Sequence, residues 1–173
     1  MKILTVWQPW ASLIILGAKP YEFRGWKPPR SIVGQRIGIH AGAKRMPKEE
    51  LWQLFNSLAP PDAAARTCLR VREAAAIIGA FYNDRDSLPF SQIIGTAVVG
   101  EPRLGADIAK EFGAAALGFP EGKGFAQVDG DIDSDQSSNW GWPMLDIKPL
   151  IPPIDAKGKQ GLWDFPVPAQ EAA

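Results

Sequence analysis

The stretch GAKPYEFR, residues 17–24, sets Lys19, Glu22 and Arg24 between apolar segments, seven residues after Trp-Gln-Pro-Trp. An extended chain alternates its side chains. From Pro20 to Trp26, Glu22, Arg24 and Trp26 therefore share one face, and Tyr21 and Phe23 the other. Together the three offer a hydrogen-bond acceptor, a planar fork of donors and a stacking plane. Unpaired bases are recognised by stacking on aromatic rings and by hydrogen bonds along their edges. The paired donors of arginine suit a base edge or a phosphate. The same charges could instead serve structure alone. Glu22 and Arg24 would then pair with each other, and Lys19 would follow a helix end whose dipole favours a cation.

Other side chains extend either reading. Trp7 fits core or cleft equally, and Trp10 could roof a pocket or simply pack. Trp140 and Trp142 share a face, so one could form the second wall of a base cage or both could cap a core; Trp163 reads as core. His40 is the single histidine, on a strand face away from Ile37 and Ile39. It is a candidate general base, though a histidine satisfied within the fold is the simpler reading. Ser12 is a candidate pocket hydroxyl, and Cys68 reads as packing. Lys27, Arg30, Lys44, Lys157 and Lys159, with Arg45 and Lys48, could line a phosphate-binding rim if folding gathers them.

The elements that would position these groups follow from local pattern. KILTVW (2–7) alternates as a strand. Pro9 then suits the first position of a helix, WASLIIL continues it, and Gly17 ends it as the C′ residue. PPR (28–30) is a turn, and 34–42 a third strand. Pro47 opens a helix to Leu58 with an apolar stripe of Leu51, Leu54, Phe55 and Leu58. The Ala- and Arg-rich run from Pro60 to about Tyr82 predicts one further helix, and residues 83–90 a loop. Residues 93–105 form a strand, 108–116 a short helix, 140–154 one or two strands, and LWDF the closing strand. The helix between strands one and two is expected to connect neighbours around a small barrel.

Bulk properties bound the rest. A chain of 173 residues suits one domain, here residues 1–166 with a helical insertion at 47–93 and a tail at 167–173. Lys+Arg and Asp+Glu number 19 each, so attraction for an anion must come from a local patch, which argues against a bulk DNA-coating role. One cysteine and one histidine exclude an internal disulfide and a cysteine-based zinc cluster. DGDIDSD (129–135) lacks the Gly and Glu of a calcium loop, so neither metal nor cofactor is expected. The absence of a disulfide framework fits a reducing, cytoplasmic compartment. Gln8-Pro9 interrupts the first apolar run, against an export signal. No apolar stretch approaches the roughly 20 residues of a spanning helix.

The spacing Gly17-x-Lys19-x-x-Glu22-x-Arg24 resembles the signature of the ASCH (activating signal cointegrator homology) domain. The likeness continues in Gln8-Pro9-Trp10-Ala11-Ser12-Leu13, in Trp26, in GQRIGIHA (34–41), in IGTAVV (94–99) and in KGKQGLW (157–163). The resemblance implies an α+β fold, a small PUA-like β-barrel with flanking α-helices, and a cleft beside the first helix. It also implies a role in binding RNA or a modified nucleobase. In the wider group, YTH and EVE domains hold a base between aromatic side chains. By this analogy the ligand-binding set is Gln8, Trp10, Ser12, Lys19, Glu22, Arg24, Trp26, His40, Asn139 and Trp140, with Ser137 and Ser138 beside Asn139.

Three functions follow. The first is binding of RNA, single-stranded nucleic acid or a modified nucleoside. The second is a small hydrolase with Lys19 and Glu22 as catalytic groups. Some compact ASCH proteins resemble amidohydrolases acting on acylated nucleosides, through a Lys, a Thr and a later Glu. Lys19 matches the Lys, Glu22 stands where they carry Thr, and Glu101 is the best candidate for the later Glu. A ribonuclease, with Lys19 and Arg24 steadying a phosphorane, is a variant of that reading. The third is a regulatory interaction module without nucleic acid.

Overall fold

Alternating apolar residues give both faces of the sheet something to bury, and the strands sort accordingly. In β1 (Lys2–Val6), Leu4 and Val6 enter the main core, while Ile3 packs with Ile93 and Trp163 behind the sheet. The computed structural model describes residues 1–113 and 140–166. After β1 come α1 (Trp10–Ile15), β2 (Tyr21–Arg24), a 3₁₀ turn (Arg30–Ile32) and β3 (Arg36–Ala41). Next are α2 (Lys48–Ser57), α3 (Ala63–Thr67), α4 (Val71–Asn83) and β4 (Gln92–Val99). The chain then forms β5 (Arg103–Leu104), α5 (Gly105–Glu111), β6 (Trp140–Asp155) and β7 (Leu162–Asp164).

The fold is α+β, as expected: a mixed sheet curls into a half-barrel with helices on its flanks. Strand order is β2-β6-β4-β3-β1-β7, with β5 also paired to β6. Among the described strands, only the β1–β3 ladder is parallel. Contrary to the expectation that α1 joins neighbouring strands, β1 lies between β3 and β7 while β2 pairs with β6. Thus α1 carries the chain across the concave face rather than around an edge.

That crossing buries every residue of α1. Six residues are too few for a helix to persist alone, so packing supplies its stability. Gly17, at φ +78°, ends it in a backbone region that residues with a Cβ rarely enter. Gly95 of β4 lets it sit close, because a Cβ there would meet Ile15 Cδ1 at 2.6 Å. On the flank, Leu51, Leu54 and Leu58 join Ala74, Ile78 and Phe81 of α4 in the same core.

The single helix expected over 60–82 is in fact two. Cys68 takes φ +52° and ends α3. The Arg70 N–H then bonds the Ala18 carbonyl at 2.9 Å, which ties the junction to the turn after α1. A tertiary bond of this kind overrides helix propensity, and composition gives no sign of it. The helix expected over 108–116 begins earlier, at Gly105. Residues 140–155 are one long strand, its first residues gripped between β2 and β5 and the remainder laid along β4.

Candidate functional site

The turn after α1 builds one side of the site. Gly17 reverses the chain, and the Lys19 N–H returns to the Leu13 carbonyl at 2.9 Å. This aims the Lys19 side chain inward, where it is 2% exposed. Its Nζ lies 5.3 Å from the Trp10 ring centroid and 5.2 Å from that of Phe23. Glu22 Oε2 is 3.7 Å away. The other oxygen of Glu22, Oε1, meets Arg24 Nη2 at 2.7 Å. Glu22 is 3% exposed, so its carboxylate is a buried anion held between two cations. Pairing of this quality, together with two ring faces around the ammonium, offsets the desolvation of buried charge.

Arg24 faces partly outward. Its Nη2 also donates to the Thr5 carbonyl at 3.1 Å, linking β2 to β1. Thr5 is a partner that sequence reasoning missed, because a backbone acceptor carries no residue-type signal.

The other wall comes from β6. Its register sets Glu22 opposite Trp142 and Arg24 opposite Trp140, so the two charges and the two indoles share a face. Trp142 is fully buried, and its indole N–H donates to the Trp26 carbonyl at 3.0 Å. Trp140 is half-buried, with Lys27 Nζ 4.1 Å above its ring centroid. β2 stops at Arg24, so strand alternation does not place Trp26. It reaches the same region by lying edge-on to Trp142, 4.8 Å between centroids at 80°, and stays 42% exposed.

The remaining predicted residues are placed as follows. Gln8 and Ser12 are buried in one network. The Gln8 amide donates to Ser12 Oγ at 2.7 Å and to the Pro89 carbonyl at 2.8 Å, and its oxygen accepts the Ser12 N–H at 3.1 Å. The structure does not bring His40 to the charged group. It lies behind the sheet, edge-on to Trp163, with Nε2 3.0 Å from the Ala156 carbonyl. Burial lowers its pKa from 6.5, and the bond to Ala156 opposes that shift. Among the rim candidates, Lys27 sits on Trp140 and Lys44 on Trp7. Arg30, Lys157 and Lys159 are exposed. Asn139, Ser137, Ser138 and the acidic loop lie outside the described residues. Glu101 is exposed just beyond β4. On the opposite face of β2, Tyr21 Oη donates to Glu111 Oε2 at 3.1 Å, and Arg103 binds the same carboxylate. Burial and then the Glu111 carboxylate raise the Tyr21 phenol above its ordinary range.

Among the described residues, no cluster of three or more His, Cys, Asp or Glu could hold a metal ion, and no helix is long and apolar enough to cross a membrane. A profile of the ASCH domain matches residues 4–103, more than half of the chain. The chain belongs to the ASCH domain family. The crystal structure of an ASCH protein from Zymomonas mobilis is 14% identical, with a TM-score of 0.49 over 95% of this chain and 87% of that one. A serine-to-alanine mutant of the Zymomonas protein is 15% identical at the same score and coverage. No curated protein matches. The matched span of this ASCH domain takes in α1, β2, β3 and β4. It thus contains Lys19, Glu22, Arg24 and Trp26 but not the β6 indoles.

Chemically, the ASCH site joins a locked carboxylate, a guanidinium oriented by it, one half-buried indole and one exposed indole. Such groups offer a stacking plane and charge-assisted hydrogen bonds, the two kinds of contact that a planar polar group can use.

Proposed function

We propose that this ASCH domain binds RNA or a modified nucleobase on the β2–β6 face, in a cytoplasmic setting. The register that sets Arg24 opposite Trp140, with Lys27 over the indole, is the observation that carries the reading. It gives a base one ring to stack on once the Lys27 ammonium shifts from that ring to the phosphate, with a guanidinium beside its edge. Glu22 then acts as a positioning residue, fixing the guanidinium from beneath. Trp10, Gln8 and Ser12 support α1 behind it.

The test is a titration of tryptophan fluorescence with modified nucleosides and short single-stranded RNA at low salt. Binding should quench the emission, and Trp140→Ala or Arg24→Lys should weaken binding about tenfold, a typical loss for one stacked base or one bidentate contact. No response from either ligand class would leave a protein-interaction role as the surviving reading.

A second reading is favoured by one distance. Lys19 Nζ and Glu22 Oε2 stand 3.7 Å apart in a buried position, and a lysine beside a carboxylate is a residue pair that acid–base hydrolysis can use. Hydrolysis of an acylated nucleoside would release acetate or an amine, and Lys19→Ala should abolish that release. Cleavage of labelled RNA, scored on the same variant, tests the ribonuclease form.

A further inference from the structure

Trp7 is a large ring that the β2–β6 face leaves unused. β1 ends at Val6, and the indole that follows is 48% exposed. Two groups hold it in place. The Gly42 N–H bonds the Val6 carbonyl at 2.9 Å, and the backbone there runs so close that a Cβ on Gly42 would meet Trp7 Cδ1 at 2.9 Å. Lys44, two residues on, sets its Nζ 3.9 Å from the ring centroid. A held, half-exposed indole beside an ammonium is a platform for an anionic, planar ligand.

Its location matters more than its exposure. Arg24 is anchored on the carbonyl of Thr5, and Trp7 lies two residues further along the same chain, roughly 7 Å away at ~3.3 Å per extended residue. The Thr5 hydroxyl donates to the Lys159 carbonyl at 2.7 Å, and the Thr5 N–H to the Gly161 carbonyl at 3.2 Å. These bonds bring the exposed Lys157–Lys159 turn to the same end of β1. Arg24, Lys44 and that turn are thus each tied to residues 5–7 of one chain segment, which also carries the exposed indole.

We infer that Trp7 and Lys44 form a second nucleotide position beside the Arg24–Trp140 face, so that the preferred ligand is a single-stranded oligonucleotide rather than a free base or nucleoside. The inference rests on the nucleic-acid reading above. The second base stacks on Trp7, and the Lys44 ammonium moves from the ring to the phosphate that joins the two nucleotides.

The experiment compares the affinity of a nucleoside monophosphate, measured by calorimetry, with that of a labelled single-stranded tetranucleotide, measured by anisotropy. Both are run across a salt series. The tetranucleotide should bind at least tenfold more tightly, since one additional stacked base is worth about that factor. Trp7→Ala should remove the gain and leave monophosphate binding within about twofold. Lys44→Ala, which spares the indole, should reduce the salt slope of the tetranucleotide by about one. Unfolding midpoints confirm that both variants fold, and Lys44→Ala carries the test should Trp7→Ala not fold. If the monophosphate binds and the tetranucleotide binds no better, or if neither variant alters the difference, the second position is refuted and the first reading stands. If neither ligand binds, both are refuted.

Discussion

Glu22 is the residue that holds the buried charged group together. A carboxylate 3% exposed, between an ammonium at 3.7 Å and a guanidinium at 2.7 Å, is stable only while both cations stay. Removing one member of such a group leaves uncompensated charge and costs about 3–5 kcal/mol. Glu22→Ala should therefore lower the unfolding free energy by about 3 kcal/mol or more in urea. Lys19→Met should cost a similar amount, and the double variant less than the sum, because the remaining charge is then relieved. Additive losses would mean that the two side chains do not interact. This triad is legible in the sequence because its causes are local: a glycine that stops a helix, then a period of two. Its depth is not. Nothing in GAKPYEFR says that Lys19 would lie between Trp10 and Phe23 rather than at a solvated helix end, since Trp10 arrives from the start of α1 and the cover from elsewhere in the fold.

At the scale of elements, α1 decides where the triad sits, and Gly95 decides where α1 sits. A Cβ at Gly95 would meet Ile15 Cδ1 at 2.6 Å and the Lys148 carbonyl oxygen at 2.8 Å. Overpacking of this kind typically costs 1–3 kcal/mol. Gly95→Ala should lower stability by about 2 kcal/mol in thermal unfolding. Ile15→Val in the same chain should restore only part of it, since it removes the methyl clash and leaves the backbone one. Full restoration would show that the Lys148 carbonyl yields freely. Most elements follow from their own residues: Pro9 and Gly17 bracket α1, and Pro47 opens α2. The errors share one cause. The break between α3 and α4, the separation of β1 from β2 and the position of Trp26 are each set by a contact with a distant segment: Ala18 for the first, β3 and β7 for the second, Trp142 for the third.

Across the whole molecule, the half-barrel is open between β2 and the β1–β7 edge, and Arg24 spans that opening through the Thr5 carbonyl. Behind the same strand end, His40 secures the turn that leads into β7. The Ala156 carbonyl 3.0 Å from Nε2 needs a donor, so the ring carries its proton there, and a Cβ on Gly158 would meet the ring at 2.3 Å. Burial favours this neutral ring, and the folded-state pKa lies below 6.5. The unfolded chain then binds the proton more readily. His40 therefore leaves stability undiminished above about pH 6.5 and reduces it as pH falls through the window below, by at most about 1.4 kcal/mol per unit. Asp164, held below its ordinary 3.8 chiefly by its hydrogen bond from Lys2, and Glu111, held below 4.5 by Arg103, act in the same direction but only at more acid pH. The two windows are separable. Unfolding free energies measured from pH 7.5 to 5 should decline in the native protein and stay nearly level in His40→Gln, while both lose stability together below pH 4. A His40→Gln profile parallel to the native one throughout would place the upper titration on another group, and the closure of this edge would then not depend on a neutral imidazole.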